Sequence, residues 1–136
     1  MEPIIYKNNI KISPKEFIDL LKRSTLDQRR PVGDISRIEK MLQHGNILVT
    51  AWSQDLLVGV SRALTDFSFC CYLSDLAVDE SFQHRGIGKK LIDETHRLAG
   101  ENTMLILLSA PAAVGYYPKI GMDRFPECFI IKRKTP

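Results

Sequence analysis

Cysteine is scarce in this chain of 136 residues: Cys70, Cys71 and Cys128 are the only three. Two are adjacent, the number is odd and no Cys-x-x-Cys pair occurs, which argues against a disulfide framework and fits a reducing compartment. Cys70 and Cys71 precede no activating basic residue, so a nucleophilic thiol is not expected. His44, His84 and His96 show no metal-ligand spacing, and no cysteine set completes one, so no metal is expected. No apolar run approaches the roughly 18 residues of a membrane span. The first residues, Met1 to Tyr6, lack a basic stretch followed by a long apolar one. A soluble, cytoplasmic protein without membrane partners is the expectation. The net charge of +3 lacks the clustered basicity of a nucleic-acid binder, and Lys132-Arg133-Lys134 reads as a solvated tail. No repeat, low-complexity tract or linker divides the chain, so residues 1–136 are expected to form a single domain.

What is present is a regular alternation of elements. Pro3 to Ile12 reads as extended, turning at Asn8-Asn9. Ser13-Pro14-Lys15-Glu16 has the form of a capping box with proline at the first helical position, followed by Phe17, Leu20 and Leu21 at helical spacing. A polar loop from Thr25 to Pro31 carries Arg29 and Arg30. Asp34 opens a second helix, with Ile35, Ile38, Met41 and Leu42 on one face, and Gly45 stops it. Asn46 to Trp52 and Leu56 to Leu64 form a hairpin pattern across Ser53-Gln54-Asp55. Phe69 to Val78 is a third extended run, entered through the turn-like Asp66-Phe67-Ser68. Gly86 to Ala99 is helical. Met104 to Leu108 is a wholly apolar run expected to be a strand buried on both faces. Pro111 opens a short helix through Tyr117, Gly121 closes the turn beyond it, and Phe125 to Lys132 is expected as the last strand. The order β-α-α-β-β-β-α-β-α-β implies an α+β domain around one mixed sheet.

The most informative stretch leads from Leu76-Ala77-Val78 into Gln83-His84-Arg85-Gly86-Ile87-Gly88-Lys89-Lys90. A strand enters a loop, and the loop becomes a helix with a glycine-rich first turn. The leading amides of a helix have no internal partners and, with the helix dipole, make an anion site. Gly86 and Gly88 allow a bulky pyrophosphate close to the backbone, and Arg85, Lys89 and Lys90 add positive charge. Walker spacing is absent, and Leu91 stands where a Rossmann fingerprint wants its third glycine. Neither nucleotide reading fits.

The stretch Gln83-His84-Arg85-Gly86-Ile87-Gly88 resembles the Gln/Arg-x-x-Gly-x-Gly/Ala signature of the GCN5-related N-acetyltransferase (GNAT) superfamily. A second pattern follows in Ala112-Ala113-Val114-Gly115-Tyr116-Tyr117-Pro118-Lys119-Ile120-Gly121-Met122, with Met122 in place of the usual phenylalanine and proline after the tyrosine. The resemblance covers the chain from about Asn46 onward. It implies the acyl-CoA N-acyltransferase (GNAT) fold: a central mixed, mostly antiparallel β-sheet flanked by helices and splayed between the fourth and fifth strands. It also implies acetyl-CoA as cosubstrate, held by Leu76, Ala77, Val78, Gln83, His84, Arg85, Gly86, Ile87, Gly88 and Lys89. The implied reaction is N-acetylation by direct attack of a primary amine in a ternary complex, the acceptor being a small molecule. Protein lysine or N-terminal acetylation and a non-catalytic acyl-CoA sensor are the alternatives. Members are commonly dimers, so a homodimer is among the expectations, although no sequence feature identifies an interface.

Within that resemblance Tyr117 is the candidate to protonate the departing thiolate, and Tyr116 aligns with an aromatic position that packs. The bland reading of Tyr117 is a buried core tyrosine with a bonded hydroxyl. The glutamate that often serves as base in the family is replaced by Tyr72. Asp75 is the remaining acid of the strand, and simple alternation puts it on the opposite face from Tyr72 and Ser74. The base is then Asp75 or, preferably, a water relay. Arg29 and Arg30 are expected either to meet an acidic group on the acceptor or to be solvated loop charges.

Overall fold

The computed structural model describes residues 2–135. Its five strands, in sheet order β1-β2-β3-β4-β5, are β1 (Ile5–Asn8), β2 (Ile47–Ser53), β3 (Leu56–Thr65), β4 (Cys70–Val78) and β5 (Met104–Ile106). The first four are antiparallel, and β5 is parallel to β4. The helices are α1 (Pro14–Arg23), α2 (Ile35–His44), α3 (Ile87–Ala99) and α4 (Tyr116–Lys119). Among the described residues no helix is long and apolar enough to cross a membrane.

Local sequence explains the helix starts. The Ser13 hydroxyl accepts from the Glu16 amide and the Glu16 carboxylate accepts from the Ser13 amide, so the capping box is formed. The Asp34 carboxylate likewise accepts from the Arg37 amide at the head of α2. Apolar faces then cover the two sides of the sheet. α1 and α2 bury Phe17, Leu20, Leu21 and Ile38 against Leu57, Val60 and Ala77. On the other side α3 sets Ile87, Leu91 and Ile92 against Val49, Val58, Ala63, Cys71 and Leu73.

One irregularity in β4 governs the site. Arg62 pairs with Asp75 but the next residue, Ala63, pairs with Leu73, so Ser74 is an extra residue, a β-bulge. Alternation resets there. Leu73 belongs to the core under α3, whereas Asp75 faces Arg30 and Arg62 on the side of α1 and α2. The expectation from simple alternation, that Asp75 and Tyr72 lie on opposite faces, is corrected by this bulge.

The C-terminal part departs most from expectation. β5 is only three residues long, and Met104, Ile106 and Leu108 are exposed, so it is not buried on both faces. Leu105 and Leu107 alone reach the core under α3. The run from Pro111 to Tyr117 is split into a 3-10 turn at Pro111–Ala113 and the separate α4. Phe125 to Lys132 is not a strand: the chain turns at Pro126-Glu127, and residues 123–135 are exposed throughout.

Candidate active site

The β4–β5 pairing runs only from Cys70↔Met104 to Tyr72↔Ile106. Beyond Ile106 the chain leaves β4, which continues alone on that side for six more residues to Val78. The sheet is therefore splayed between its fourth and fifth strands, and Leu76, Ala77 and Val78 line one arm of the opening. Leu76 and Val78 turn their side chains to the core under α3, and Ala77 turns to the core under α1.

The loop after β4 is tied down at both ends. Asp79 donates its backbone amide to Val58, and its carboxylate accepts from the Ser81 amide and, at 2.5 Å, from the Arg23 guanidinium. Arg23 also donates to the Leu57 carbonyl, so α1 braces the start of this loop. The Gln83 amide reaches back to the Val78 carbonyl at 3.1 Å. His84 (φ 64°) and Gly86 (φ 80°) then adopt left-handed conformations that turn the chain onto α3. Gly86 is favoured there by its positive φ; it has open space in front of it.

At the head of α3 no side chain caps the helix, and the first intrahelical bond runs from the Lys90 amide to the Gly86 carbonyl. The amides of Ile87, Gly88 and Lys89 thus precede the helical ladder and face outward from its positive end. Gly88 has the crowded position: a Cβ on it would stand 2.9 Å from the Tyr116 hydroxyl oxygen. Of the nearby cations, Arg85 lies over the Phe82 ring at 4.9 Å, Lys89 pairs with Asp93 at 2.7 Å, and Lys90 lies over Tyr6. Lys90 therefore points away from the loop toward β1. His84 is exposed.

The two tyrosines exchange the parts expected of them in packing. Tyr116 is the more exposed, and its hydroxyl sits over the first turn of α3 within reach of the Lys89 amide. Tyr117 packs against the core under α3, edge-on to Tyr116 at 5.2 Å. Burial, with a smaller contribution from Tyr116, pushes the Tyr117 phenol above its ordinary value. No hydrogen bond joins the Tyr117 hydroxyl to any of the described residues, unlike the bonded core tyrosine of the bland reading.

Asp75 and Arg30 have a partnership that sequence reasoning missed. Asp75 is fully buried, and the Nε groups of Arg30 and Arg62 donate to its two oxygens. Arg30 also donates to the Ser74 carbonyl, and Arg62 to Ser74 Oγ and the Met41 carbonyl. Arg30 is thus neither a free loop charge nor an open acceptor contact; it pins the loop after α1 to the bulge. The 45-residue separation of the pair left no local pattern to find. Arg29 stays in the exposed part of that loop. Among the described residues no His, Cys, Asp and Glu cluster could hold a metal.

With this geometry in place, the comparisons agree on a class. The family model described as an acetyltransferase (GNAT) domain matches residues 28–127, and the chain belongs to that family. A GNAT-family acetyltransferase from Streptococcus pneumoniae superposes with a TM-score of 0.75 at 22% identity, covering 97% of this chain and all of that one. The aminoglycoside N-acetyltransferase AAC(6')-Iy, solved with CoA, gives 0.75 at 15% identity over 98% of this chain and 97% of its own. In sequence, the histone acetyltransferase TAP1 of Glycine max is 30% identical over 76 residues, 54% of this chain. This chain spans only 33% of that relative's length.

Proposed function

We propose that this protein binds acetyl-CoA and transfers its acetyl group to a primary amine of a small molecule. The observation that carries the reading is the splay of β4 from β5 beside the uncapped head of α3, where Tyr116 lies over Gly88 with the Tyr117 ring 5.2 Å from its own. The amides of Ile87, Gly88 and Lys89 suit a pyrophosphate, aided by Arg85 and the positive end of α3. The backbone of Leu76 to Val78 offers the open side of a strand to an amide-bearing pantetheine arm. Gln83 and His84 shape the loop between them.

In the reaction the neutral amine attacks the thioester carbonyl carbon; a C–N bond forms, the C–S bond breaks, and the amine gives up a proton. Tyr117, held protonated by burial, donates a proton to the leaving thiolate and regains one from solvent, a general-acid contribution typically worth ~10²–10⁴ in rate. Asp75, enclosed by two guanidiniums and sealed from solvent, is unsuited to the base role. Water takes the amine proton. A small-molecule acceptor is supported by the aminoglycoside acetyltransferases that share the fold. A protein amine is the second reading, suggested by the name of the soybean relative. The three free thiols favour a reducing, cytoplasmic setting.

Thermal unfolding with acetyl-CoA, CoA, NAD and ATP tests the first step, since a ligand specific for the folded state raises its apparent stability. Stabilisation by acetyl-CoA and CoA alone is expected; stabilisation by NAD or ATP, or none at all, sinks the reading. Thiol release on small amines and on lysine peptides then separates the two acceptor classes.

A further inference from the structure

The last row of the β4–β5 pairing lies at the lip of the splay. Leu64 pairs with Tyr72, and Tyr72 with Ile106, so the three residues stand side by side across β3, β4 and β5. They share the α1 and α2 side of the sheet, since the adjoining Ala63, Cys71 and Leu105 belong to the core under α3. Neither helix closes over them: Leu64 is 40% exposed and Ile106 46%. With Phe69 and Met104 they line a groove of about 570 Å³, a volume suited to a small organic molecule. One end of this groove is therefore the splay itself.

The groove is apolar in effect because its polar members are already engaged. The Asn46 side chain donates to the Thr65 carbonyl and accepts from the Thr65 amide. The Thr65 hydroxyl donates to the Cys70 carbonyl. Among the described residues that line the groove Asp66 is the one acid. It sits at the end away from the splay, where one oxygen of its carboxylate accepts from the Ser68, Phe69 and Cys70 amides. Past the splay end stands Asp75, whose two oxygens are taken by Arg30 and Arg62. Two guanidiniums against one carboxylate leave that cluster with an excess of positive charge. A ligand with several ammonium groups would lose water here and meet repulsion rather than a partner. A single amine on an apolar body avoids both costs, and the positive excess favours the neutral, nucleophilic form of its nitrogen.

We infer that the acceptor is a primary amine on one uncharged alkyl or aromatic body, seated across Leu64, Tyr72 and Ile106 with its nitrogen at the splay. This acceptor class rests on the acetyl-transfer reading and adds to it the side chains that select the amine. The nitrogen forms the amide bond as the C–S bond breaks; its proton passes to water, the thiolate is protonated, and free CoA and the N-acetyl amine leave. Polyamines, aminoglycosides and cationic lysine peptides are disfavoured by the same surface.

The test follows thiol release from acetyl-CoA, once its binding has been measured by thermal unfolding. The amines are 2-phenylethylamine, hexylamine, ethanolamine, spermidine, kanamycin and a lysine peptide. For the first two, kcat/KM should exceed that for ethanolamine, which lacks the apolar body, at least tenfold, and should exceed the cationic acceptors by more. 2-Phenylethanol, the same body without the amine, should compete with 2-phenylethylamine and not with acetyl-CoA. Leu64→Asp and Ile106→Asp, each at an exposed site, should lower the preference for 2-phenylethylamine over spermidine at least tenfold. That ratio does not move when folded enzyme is merely lost, and Leu64→Asp leaves β5 untouched should Ile106→Asp fail to fold. Acetyl-CoA binding without turnover of any amine, a preference for ethanolamine or a cationic acceptor, or a ratio unchanged in the folded variants would overturn the acceptor class and leave the cofactor reading standing. Failure to bind acetyl-CoA would instead sink the acetyl-transfer reading, and the acceptor class with it.

Discussion

Gly88 and Tyr116 meet over the first turn of α3, where a single added carbon on the glycine would stand 2.9 Å from the phenol oxygen. Gly88→Ala therefore has two opposed effects. Alanine favours a helix by up to about 1 kcal/mol over glycine, but here it must displace the phenol from the Lys89 amide. In a Tyr116→Phe background that displacement is relieved, so the same change should be more stabilising there. Denaturant midpoints for the four proteins of this double-mutant cycle measure the difference, and additive effects would disprove the contact.

The same phenol lies where the proposed pyrophosphate would be received. Tyr116→Phe frees the Lys89 amide and should tighten CoA binding by roughly the worth of one neutral hydrogen bond, about 0.5–1.5 kcal/mol or several-fold in Kd. Calorimetric titration decides, and unchanged or weaker binding removes Tyr116 from competition for the site. Tyr117→Phe should instead leave Kd for acetyl-CoA nearly unchanged and lower kcat by ~10²-fold or more, if single-turnover rates are compared. Equal single-turnover rates would end its role as acid.

Asp75→Ala leaves two guanidiniums facing an emptied site and should cost about 3–5 kcal/mol, as breaking a buried pair from one side usually does. Chemical denaturation measures it. A loss below about 1 kcal/mol, in the range of an exposed pair, would mean that the cluster is not closed to water in solution.

Two groups give pH dependences of opposite sense. Tyr117 is raised above 10.0, so its folded form holds the proton more tightly than the unfolded chain. The stability linked to it is full below pH 10 and is lost as pH rises through the folded-state value. Tyr117→Phe should flatten that alkaline decline in unfolding midpoints. Asp66 is lowered from 3.8 to about 2 because its carboxylate accepts from the Phe69, Ser68 and Cys70 amides. Its contribution is present above pH 3.8 and is lost as pH falls through about 2. Carbon-13 NMR titration of this carboxyl reads the value directly, and an ordinary midpoint would show the turn to be open.

Much of this was legible in the sequence because it is local. The capping box at Ser13, the hairpin at Ser53 to Asp55 and the strand-loop-helix around Gly86 each declare themselves within a few residues, and each is found within a residue or two of its expected place. The splay was legible only through the family resemblance. What failed was non-local. The extra residue at Ser74 exists because β3 and β4 pair out of step, which neither strand shows alone. The run 104–108 is apolar enough for a two-sided core, yet α1 and α2 do not reach over it. Phe125 to Lys132 has the composition of a strand but no neighbour in its own chain, and composition cannot supply a neighbour.

The bracing of β4 also bears on how far the chain can be divided. Both buried carboxylates on the strand and its exit, Asp75 and Asp79, find a counter-ion in the helical arm, at Arg30 and Arg23, and Asp75 a second in Arg62 of β3. Arg23 lies ahead of residue 28, where the family match begins. A graft of the glycine loop with its strands alone would keep Arg62 beside Asp75 but leave Arg30 and Arg23 behind, so that Asp79 loses its guanidinium and Asp75 one of its two. The strand-loop-helix of this protein is thus not a transplantable unit: its charge balance is shared with the helical arm that precedes it.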